Sequence, residues 1–282
     1  MNTSPNLPTR KLLVDLSAGF EPHWFGGCAF RSQYHNALSM SFPLGEQEFI
    51  DAVRECLPLL PNTPENASLH DTAKRFVAQE ATHRHVHAQY NAVLAQQGLH
   101  NHWQNWITKL IAVGDKRGIK PIHKLAITAA FEHLTAVFAD AVLRYPTITE
   151  PAQEPLRTLW RWHAGEEAEH KAVAFDIYQA IGGNYAWRVR WYIYVLIQFF
   201  LFSNAQTLNN LWHSGSLLKP STWWGAAQFY FGRPSRGGGL MWLCFKPMLA
   251  YFKRDFHPWQ HDNRALVDAW MAANAVQFRV LR

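Results

Sequence analysis

The feature that most constrains this chain is a motif of glutamate and histidine that occurs twice with nearly the same spacing. The first copy is Glu46 followed by Glu80-Ala-Thr-His83, and the second is Glu132 followed by Glu167-Ala-Glu-His170. The lone glutamate precedes the Glu-x-x-His set by 34 residues in the first copy and by 35 in the second. The two halves of the chain therefore repeat one plan.

Helical geometry predicts where these side chains lie in the fold. A carboxylate at position i and an imidazole at i+3 share one face of a helix, so both can reach one metal ion. In a helical hairpin, roughly 15 residues per leg, rising about 1.5 Å each, return the chain to the same depth. We therefore predict that six side chains meet at one level of a four-helix bundle. They are Glu46, Glu80, His83, Glu132, Glu167 and His170.

The sequence around these residues favours a buried metal centre over a solvated surface. Glu80 follows Phe76 and Val77, and Glu132 lies within the apolar stretch AITAAFEHLTAVF. Four buried carboxylates would repel one another and would be costly to desolvate, and two divalent cations would offset that charge. Carboxylates mixed with imidazoles suit iron or manganese better than magnesium or calcium. We predict two metal ions, with iron preferred and manganese or a Mn/Fe pair as alternatives.

Three polar neighbours of the six ligands are candidates to support them, namely His87, Asp140 and His163. Each lies one or two helical turns from a predicted ligand and so faces the same side of its helix. Hydrogen bonds from such neighbours orient metal ligands, although each histidine could equally be an ordinary core residue. Glu166 and Glu169 are turned away from the ligand face and are expected to be solvated or ion-paired.

Proline, glycine and apolar periodicity divide the first 183 residues into helices. Residues 1–40 carry Pro, Gly and isolated aromatics and are predicted to be an irregular lead-in. Helices are then predicted at about 43–60, 68–97, 100–119, 121–145 and 152–181. Two helical hairpins joined by a crossover with its own helix are one standard route to a four-helix bundle. We predict an all-α fold with this bundle at 41–183.

The remaining residues, 184–282, are predicted to be an aromatic-rich helical region that packs on the bundle. Its segment WRVRWYIYVLIQFFLF (187–202) is strongly apolar but shorter than the ~20 residues that span a bilayer. A buried helix is the favoured interpretation, and a helix lying on a membrane surface is the alternative. His257, in the same region, has no predicted role.

Charge and cysteine usage narrow the classes of function. The net charge is +6, but Lys and Arg are scattered with no run longer than two, so nucleic acid is not a predicted partner. Cys28, Cys56 and Cys244 are too far apart for a disulfide framework or a CxxC site. With no apolar signal segment at the N-terminus, we expect a cytoplasmic protein, with peripheral membrane contact through 187–202 and a homodimer both left open.

Several motifs, in order along the chain, resemble a bacterial family described as predicted metal-dependent hydrolases, which are ferritin-like in fold. The resembling segments are HWF (23–25), ALSMSFPLGEQEF (37–49), QEATHRHVH (79–87), FEHLTA (131–136), WHAGEEAEHKAVAFD (162–176) and FHPW (256–259). The resemblance covers nearly the whole chain. It implies a ferritin-like bundle and the same metal ligand set.

Three functions fit these predictions. The favoured one is an O2-activating oxidase or oxygenase in which two irons, bridged by Glu80 and Glu167, share the electrons that reduce O2. It would act on a small apolar substrate in a channel covered by the C-terminal aromatics and would require an external electron donor. The alternative, which the family's description implies, is a hydrolase that uses a metal-bound hydroxide. The third is metal storage or non-catalytic metal binding.

Overall fold

A computed structural model describes residues 7–281, apart from the side chain of Glu65. The helices are α1 (Ala29–Cys56), α2 (Pro64–Gln96), α3 (His102–Lys116), α4 (Pro121–Arg144), α5 (Leu156–His170), α6 (Val173–Ala180), α7 (Tyr185–His213), α8 (Pro220–Phe231), α9 (Leu240–Ala250) and α10 (Arg264–Ala273). Two short strands, β1 (Arg10–Leu12) and β2 (Phe278–Val280), pair antiparallel and tie the two ends of the chain together. The predicted all-α helical bundle is confirmed.

Two helical hairpins form the bundle. α1 packs along α2, α4 packs against α5 and α6, and α3 lies in the connection between the hairpins. Pro64 opens α2 and Pro121 opens α4, positions at which the missing N–H has no partner within a helix anyway. The helix predicted at about 152–181 is divided by a break at Lys171 and Ala172 into α5 and α6.

The first helix differs from its prediction because it begins at Ala29, inside the expected irregular lead-in. Pro43 lies within α1, where it cannot donate to the carbonyl oxygen of Ser39. The side-chain amide of Asn91, on α2, donates to that oxygen at 2.9 Å instead. α1 also packs against α7 and α8. Tertiary contacts therefore sustain a helix across a proline that local signals interpret as a boundary.

Helices α7, α8 and α9 form a layer over one face of the bundle, called the C-terminal layer below. α7 packs against both α1 and α4, α8 packs against α1, and α9 packs against α4. Within the layer, Arg188 of α7 donates to the carbonyl oxygens of Tyr251 and Lys253, just after α9. Tyr192 donates to the carbonyl oxygen of Met248 at 2.8 Å. These bonds join the start of α7 to the end of α9.

The same layer holds α3 in position. The side-chain oxygen of Gln206, on α7, accepts hydrogen bonds from the backbone N–H groups of His102 and Trp103 at 2.9 and 2.8 Å. The first N–H groups of a helix have no partner within it, so Gln206 caps α3 from outside. α3 is thus fixed beside α1 and α7.

The apolar segment 187–202 belongs to the 29-residue helix α7, which is buried on one side and exposed on the other. Within residues 7–281, α4 is the one helix long and apolar enough by composition to cross a membrane, and 67% of its apolar window is buried in the protein. α4 packs against α1, α5, α6 and α7, as the core helix of a bundle does.

Candidate metal centre

The six predicted ligands come from four helices and meet in the bundle core. α1 supplies Glu46, α2 supplies Glu80 and His83, α4 supplies Glu132, and α5 supplies Glu167 and His170. All six side chains are buried, with exposures between 0 and 5%. Helical spacing thus brings them together at one depth.

Two neighbouring clusters of possible ligands are linked by a third group, Glu80, His83 and Glu167, and the first cluster surrounds His170. Its Nε2 lies 3.1 Å from Glu80 Oε1, 3.4 Å from Glu132 Oε2 and 3.7 Å from Glu167 Oε1. Glu80, Glu132 and His170 each offer an atom within 4.8 Å of the others, which is a spacing that one metal ion can bridge.

The second cluster contains Glu46, His83 and His163, whose ligand atoms also lie within 4.8 Å of one another. His163 Nε2 is 4.0 Å from Glu46 Oε1 and 2.9 Å from Glu167 Oε1. His83 Nδ1 is 3.6 Å from the same Glu167 oxygen. His163, considered from sequence as a neighbour of the ligands, therefore lies among them.

The buried ligand atoms lack ordinary hydrogen-bond partners. Those without a partner among the described residues are both carboxylate oxygens of Glu46, Glu80 and Glu132, Oε2 of Glu167, Nδ1 of His83 and Nε2 of His170. A buried polar atom without a hydrogen-bond partner lowers the stability of a protein by about 1–3 kcal/mol, so nearly all such atoms are paired in folded proteins. Oxygen and imidazole atoms that converge without partners are a donor set that fits metal ions.

Hydrogen bonds behind two of the histidines turn their lone pairs toward the carboxylates. His83 Nε2 lies 2.9 Å from Glu166 Oε2, an acceptor, so the ring proton sits there and Nδ1 is free. His170 Nδ1 lies 3.0 Å from the side-chain oxygen of Gln79, which leaves Nε2 free. Each ring is thus oriented so that its other nitrogen, Nδ1 of His83 or Nε2 of His170, faces the cluster and could bind a metal ion.

A longer chain of hydrogen bonds has the same effect on His163. The Ser39 hydroxyl donates to Asn91 Oδ1 at 2.8 Å, so it accepts from His87 Nδ1 at 2.9 Å. Burial holds the pKa of His87 well below its usual value, so the ring is neutral and its Nε2 is an acceptor. That Nε2 accepts from His163 Nδ1 at 2.7 Å. With Nδ1 held in this way, Nε2 of His163 faces Glu167 Oε1 at 2.9 Å.

A buried ion network supports these contacts from outside. Arg10 of β1 donates to both carboxylate oxygens of Glu169 at 2.8 Å and to Glu166 at 3.1 Å. Gln79 also donates to Glu169, at 3.0 Å. Of the two states expected for Glu166 and Glu169, the ion-paired one is observed. Sequence reasoning missed Arg10, which lies more than 150 residues from its partners, and Gln79, whose only signal is its place beside Glu80.

The buried carboxylates make the cluster attract positive charge, either as protons or as metal cations. Burial raises the pKa of Glu46 well above its usual value, and the charges of Glu80 and Glu167 raise it further. Burial also raises the pKa of Glu132 well above its usual value. Burial alone would lower the pKa of His170, but the surrounding carboxylates, Glu132 foremost, raise it well above its usual value. Divalent cations would displace the protons that these groups otherwise attract.

Two other residues lie outside this centre. Asp140, predicted to hydrogen-bond a ligand, instead accepts from Arg144 at 3.0 Å and from Asn263 at 3.2 Å. The two residues lie at different depths in the bundle, because eight residues of helix place Asp140 about 12 Å along the axis from Glu132. His257, left without a role by the sequence, contacts Asp176 at 2.9 Å.

An apolar cavity of about 590 Å³ extends from the surface to Glu46. It lies between α1, α3, α4 and α7, with Phe49 and Phe131 among the side chains of its walls. Leu110 and Val113 of α3 line it and are also exposed, so they mark its mouth. The metal-binding cluster is therefore connected to a space suited to an apolar group.

The fold and this cluster define a helical-bundle protein with buried glutamate and histidine groups suited to binding metal. The sequence model of the family described as "Predicted metal-dependent hydrolase" matches residues 8–262, which is most of the chain. The chain belongs to that family. Comparisons with curated proteins and with solved structures find no match.

Proposed function

We propose that this chain holds two metal ions and is a metal-dependent hydrolase acting on a substrate with an apolar chain. The observation that carries the two-metal centre is the sharing of carboxylates between the clusters. Glu167 Oε1 lies 3.6 Å from His83 Nδ1 and 3.7 Å from His170 Nε2. Glu80 turns one oxygen to each ring, at 4.0 and 3.1 Å. Two such shared carboxylates support a pair of adjacent ions.

The two positions would have different ligands. One would be held by Glu132 and His170, and the other by Glu46, His83 and His163, with Glu80 and Glu167 shared. Four carboxylates and three imidazoles favour iron or manganese over magnesium or calcium. The position with two imidazoles would be the less negative of the pair.

Hydrolysis agrees with the family's description and with this donor set. A bound pair of divalent ions supplies a water of lowered pKa and polarises a carbonyl or phosphoryl oxygen. The chain itself supplies the binding site for the substrate. Glu46 lies at the inner end of the cavity, and the ring of Phe42 packs 4.6 Å from His87 and 4.8 Å from His163.

The cavity supports the class of substrate. Its volume falls within the ~300–1,000 Å³ typical of pockets for small ligands, and its lining is mostly aromatic and aliphatic. Charged side chains, including Asp115, Arg117 and Lys124, occur among the lining residues contributed by the end of α3 and the start of α4. An ester or amide of a long-chain acid would place its apolar chain against the walls and its cleavable bond near Glu46.

An O2-activating oxidase is the second candidate, favoured by one specific observation. All seven glutamate and histidine side chains are buried beside an aromatic-walled cavity, which would exclude water from a reactive intermediate. This function would additionally require an external electron donor.

One experiment separates the two. The protein is loaded anaerobically with Fe(II) or Mn(II) and given long-chain and short-chain esters, with and without O2. Hydrolysis predicts metal-dependent turnover of the long-chain ester that is the same with and without O2. No ester or amide cleavage, together with O2 consumption and a coloured transient on admitting air, would overturn the hydrolase proposal and support the oxidase.

The cavity offers a matched pair of variants. Gly45 lines the cavity beside Glu46, and a Cβ added there would meet no atom within 4 Å. Gly45→Phe should fill the cavity and lower turnover of long-chain substrates at least about tenfold, whereas Gly45→Ala should leave it nearly unchanged. Equal turnover of long-chain substrates by the two variants would exclude the cavity as the binding site.

A further inference from the structure

We propose that the outer surface of the C-terminal layer docks on a bilayer of anionic lipid. The first observation is charge. Residues 184–254 contain eight Lys and Arg and no Asp or Glu. Seven of the eight are exposed, and the eighth, Arg188, is buried. A stretch of this length with cations alone at its surface attracts a negatively charged partner.

The second observation is the apolar character of the same surface. Large apolar side chains are exposed on all three helices, including Ile197 at 64%, Trp212 at 65%, Trp224 at 67% and Trp242 at 67%. Single exposed apolar residues are ordinary, but many on one face mark an interaction site. Tryptophan and tyrosine beside lysine and arginine are the residues that bilayer interfaces select.

The fold brings these residues to one side. α7 rests on both α1 and α4, α8 rests on α1 and α9 rests on α4, so the opposite sides of all three helices face outward. On α7 the exposed apolar positions recur at helical spacing, from Ile193 through Ile197 and Leu201 to Leu208 and Trp212. The exposed apolar and basic residues of the three helices therefore lie on the outer side of the layer.

A bilayer fits this face better than a second copy or a nucleic acid. In a symmetric dimer the patch would meet itself, which would bring like charges together with no acidic residue from 184–254 to pair them. Nucleic-acid surfaces use aromatic rings for stacking, but exposed aliphatic side chains such as Ile197, Leu201 and Leu218 have no such use. They do fit the acyl region beneath lipid headgroups.

The mouth of the apolar cavity adjoins this face. Tyr194 of α7 lines the cavity and is exposed beside Ile193 and Ile197. An apolar chain could therefore pass from the bilayer into the cavity without crossing water. This route rests on the proposed function, whereas docking itself does not.

Flotation of the full chain with lipid vesicles tests the docking. Vesicles of phosphatidylcholine alone are compared with vesicles containing about 30 mol % phosphatidylglycerol, at low salt and at about 0.5 M salt. We expect the protein to float with the anionic vesicles, to bind neutral vesicles at least about tenfold more weakly, and to lose binding at high salt. Failure to float with anionic vesicles at low salt would overturn the proposal, whatever the metal or ester assays give.

Paired variants separate the two observations. Lys246→Glu with Lys253→Glu should weaken binding to anionic vesicles about tenfold or more, and Lys74→Glu on α2 should not.

Trp224→Ser with Ile197→Asn should weaken binding to both kinds of vesicle. Leu59→Asn, at an exposed apolar site just after α1, should not. Circular dichroism checks that each variant is folded. The docking proposal would be overturned by equal losses of vesicle binding in the test and control variants. It would also be overturned by a stable dimer that buries this face, or by tighter binding to single-stranded DNA than to vesicles.

Discussion

The bundle carries a net negative charge and buries several of its acidic groups, whereas the C-terminal region carries a net positive charge and exposes most of its basic groups. Residues 1–183 contain 16 Lys and Arg against 18 Asp and Glu, a net charge of −2, while residues 184–282 contain 11 against 3, a net charge of +8. In the bundle, four glutamates are buried at one level together with three histidines. In the C-terminal layer, all the cationic side chains but one are exposed among aromatic residues.

The difference teaches that the overall charge of +6 describes neither region. Buried acids without partners need cations brought to them, and exposed bases without acids need an anionic surface. If this contrast is functional, the two regions should respond to different changes. The first two predictions below therefore pair a change in the bundle with a measurement or a variant in the C-terminal layer.

The largest effect is expected from Glu80→Ala, because Glu80 contacts both clusters. Bound metal should fall from about two ions per chain toward zero, and activity by more than about 100-fold. Elemental analysis and metal titration measure this, with His83→Ala as a second ligand variant. Vesicle binding should be unchanged. Full metal content in both variants would exclude the ligand assignment.

Metal removal should destabilise the bundle, since four buried carboxylates would lose their counter-charge. At free metal about 1,000-fold above the dissociation constant, binding contributes roughly 4 kcal/mol to the free energy of unfolding. Thermal unfolding with and without a chelator measures the difference. Lys246→Glu with Lys253→Glu should show the same difference as the unaltered chain, and a chelator with no effect on unfolding would contradict a structural role for the metal.

A smaller effect is expected from the residues that orient the ligands. Gln79→Leu removes the acceptor for His170 Nδ1 and should weaken metal binding about 10- to 100-fold. Gln89→Leu makes the same substitution on an exposed part of α2 and should leave the affinity unchanged. Equal affinities in the two variants would show that His170 is oriented by other contacts.

The smallest effect is expected at the contact between the bundle and the C-terminal layer. There His35 of α1 packs against Trp160 of α5 and Phe229 of α8. Burial lowers the pKa of His35 to about 4, so the folded chain holds it neutral while the unfolded chain protonates it near pH 6.5. Its contribution to stability is therefore present above about pH 6.5 and is lost as the pH falls. At pH 5 the loss is about 2 kcal/mol.

Denaturant unfolding at pH 7 and pH 5 measures this loss, and His35→Leu should make the drop about 2 kcal/mol smaller. His85→Leu, at an exposed histidine on α2, should leave the drop as it is in the unaltered chain. A drop of equal size in all three proteins would rule out His35 as its source.

Much of this arrangement could be predicted from the sequence because it depends on local geometry. The helix start at Pro121 follows from the chemistry of proline, and the common depth of Glu46, Glu80 and Glu132 follows from counting residues along helices. The start of α2 was predicted less well, because the helix begins at Pro64 and not at about residue 68. Periodicity gives the face and depth of a side chain within its own helix. In the structure, all six glutamates and histidines of the repeated motif are buried in the bundle core.

Tertiary structure decided what depends on partners distant in the chain. α1 continues through Pro43 because Asn91 supplies the missing donor, and Glu166 is held by Arg10, 156 residues away. His163 lies among the ligands while Asp140 does not, although both share a face with a ligand. The sequence by itself determined which side chains face the core, because that follows from helical repeat alone. Only the packing of helices determined which of them touch, because contact depends on how the helices are tilted and spaced.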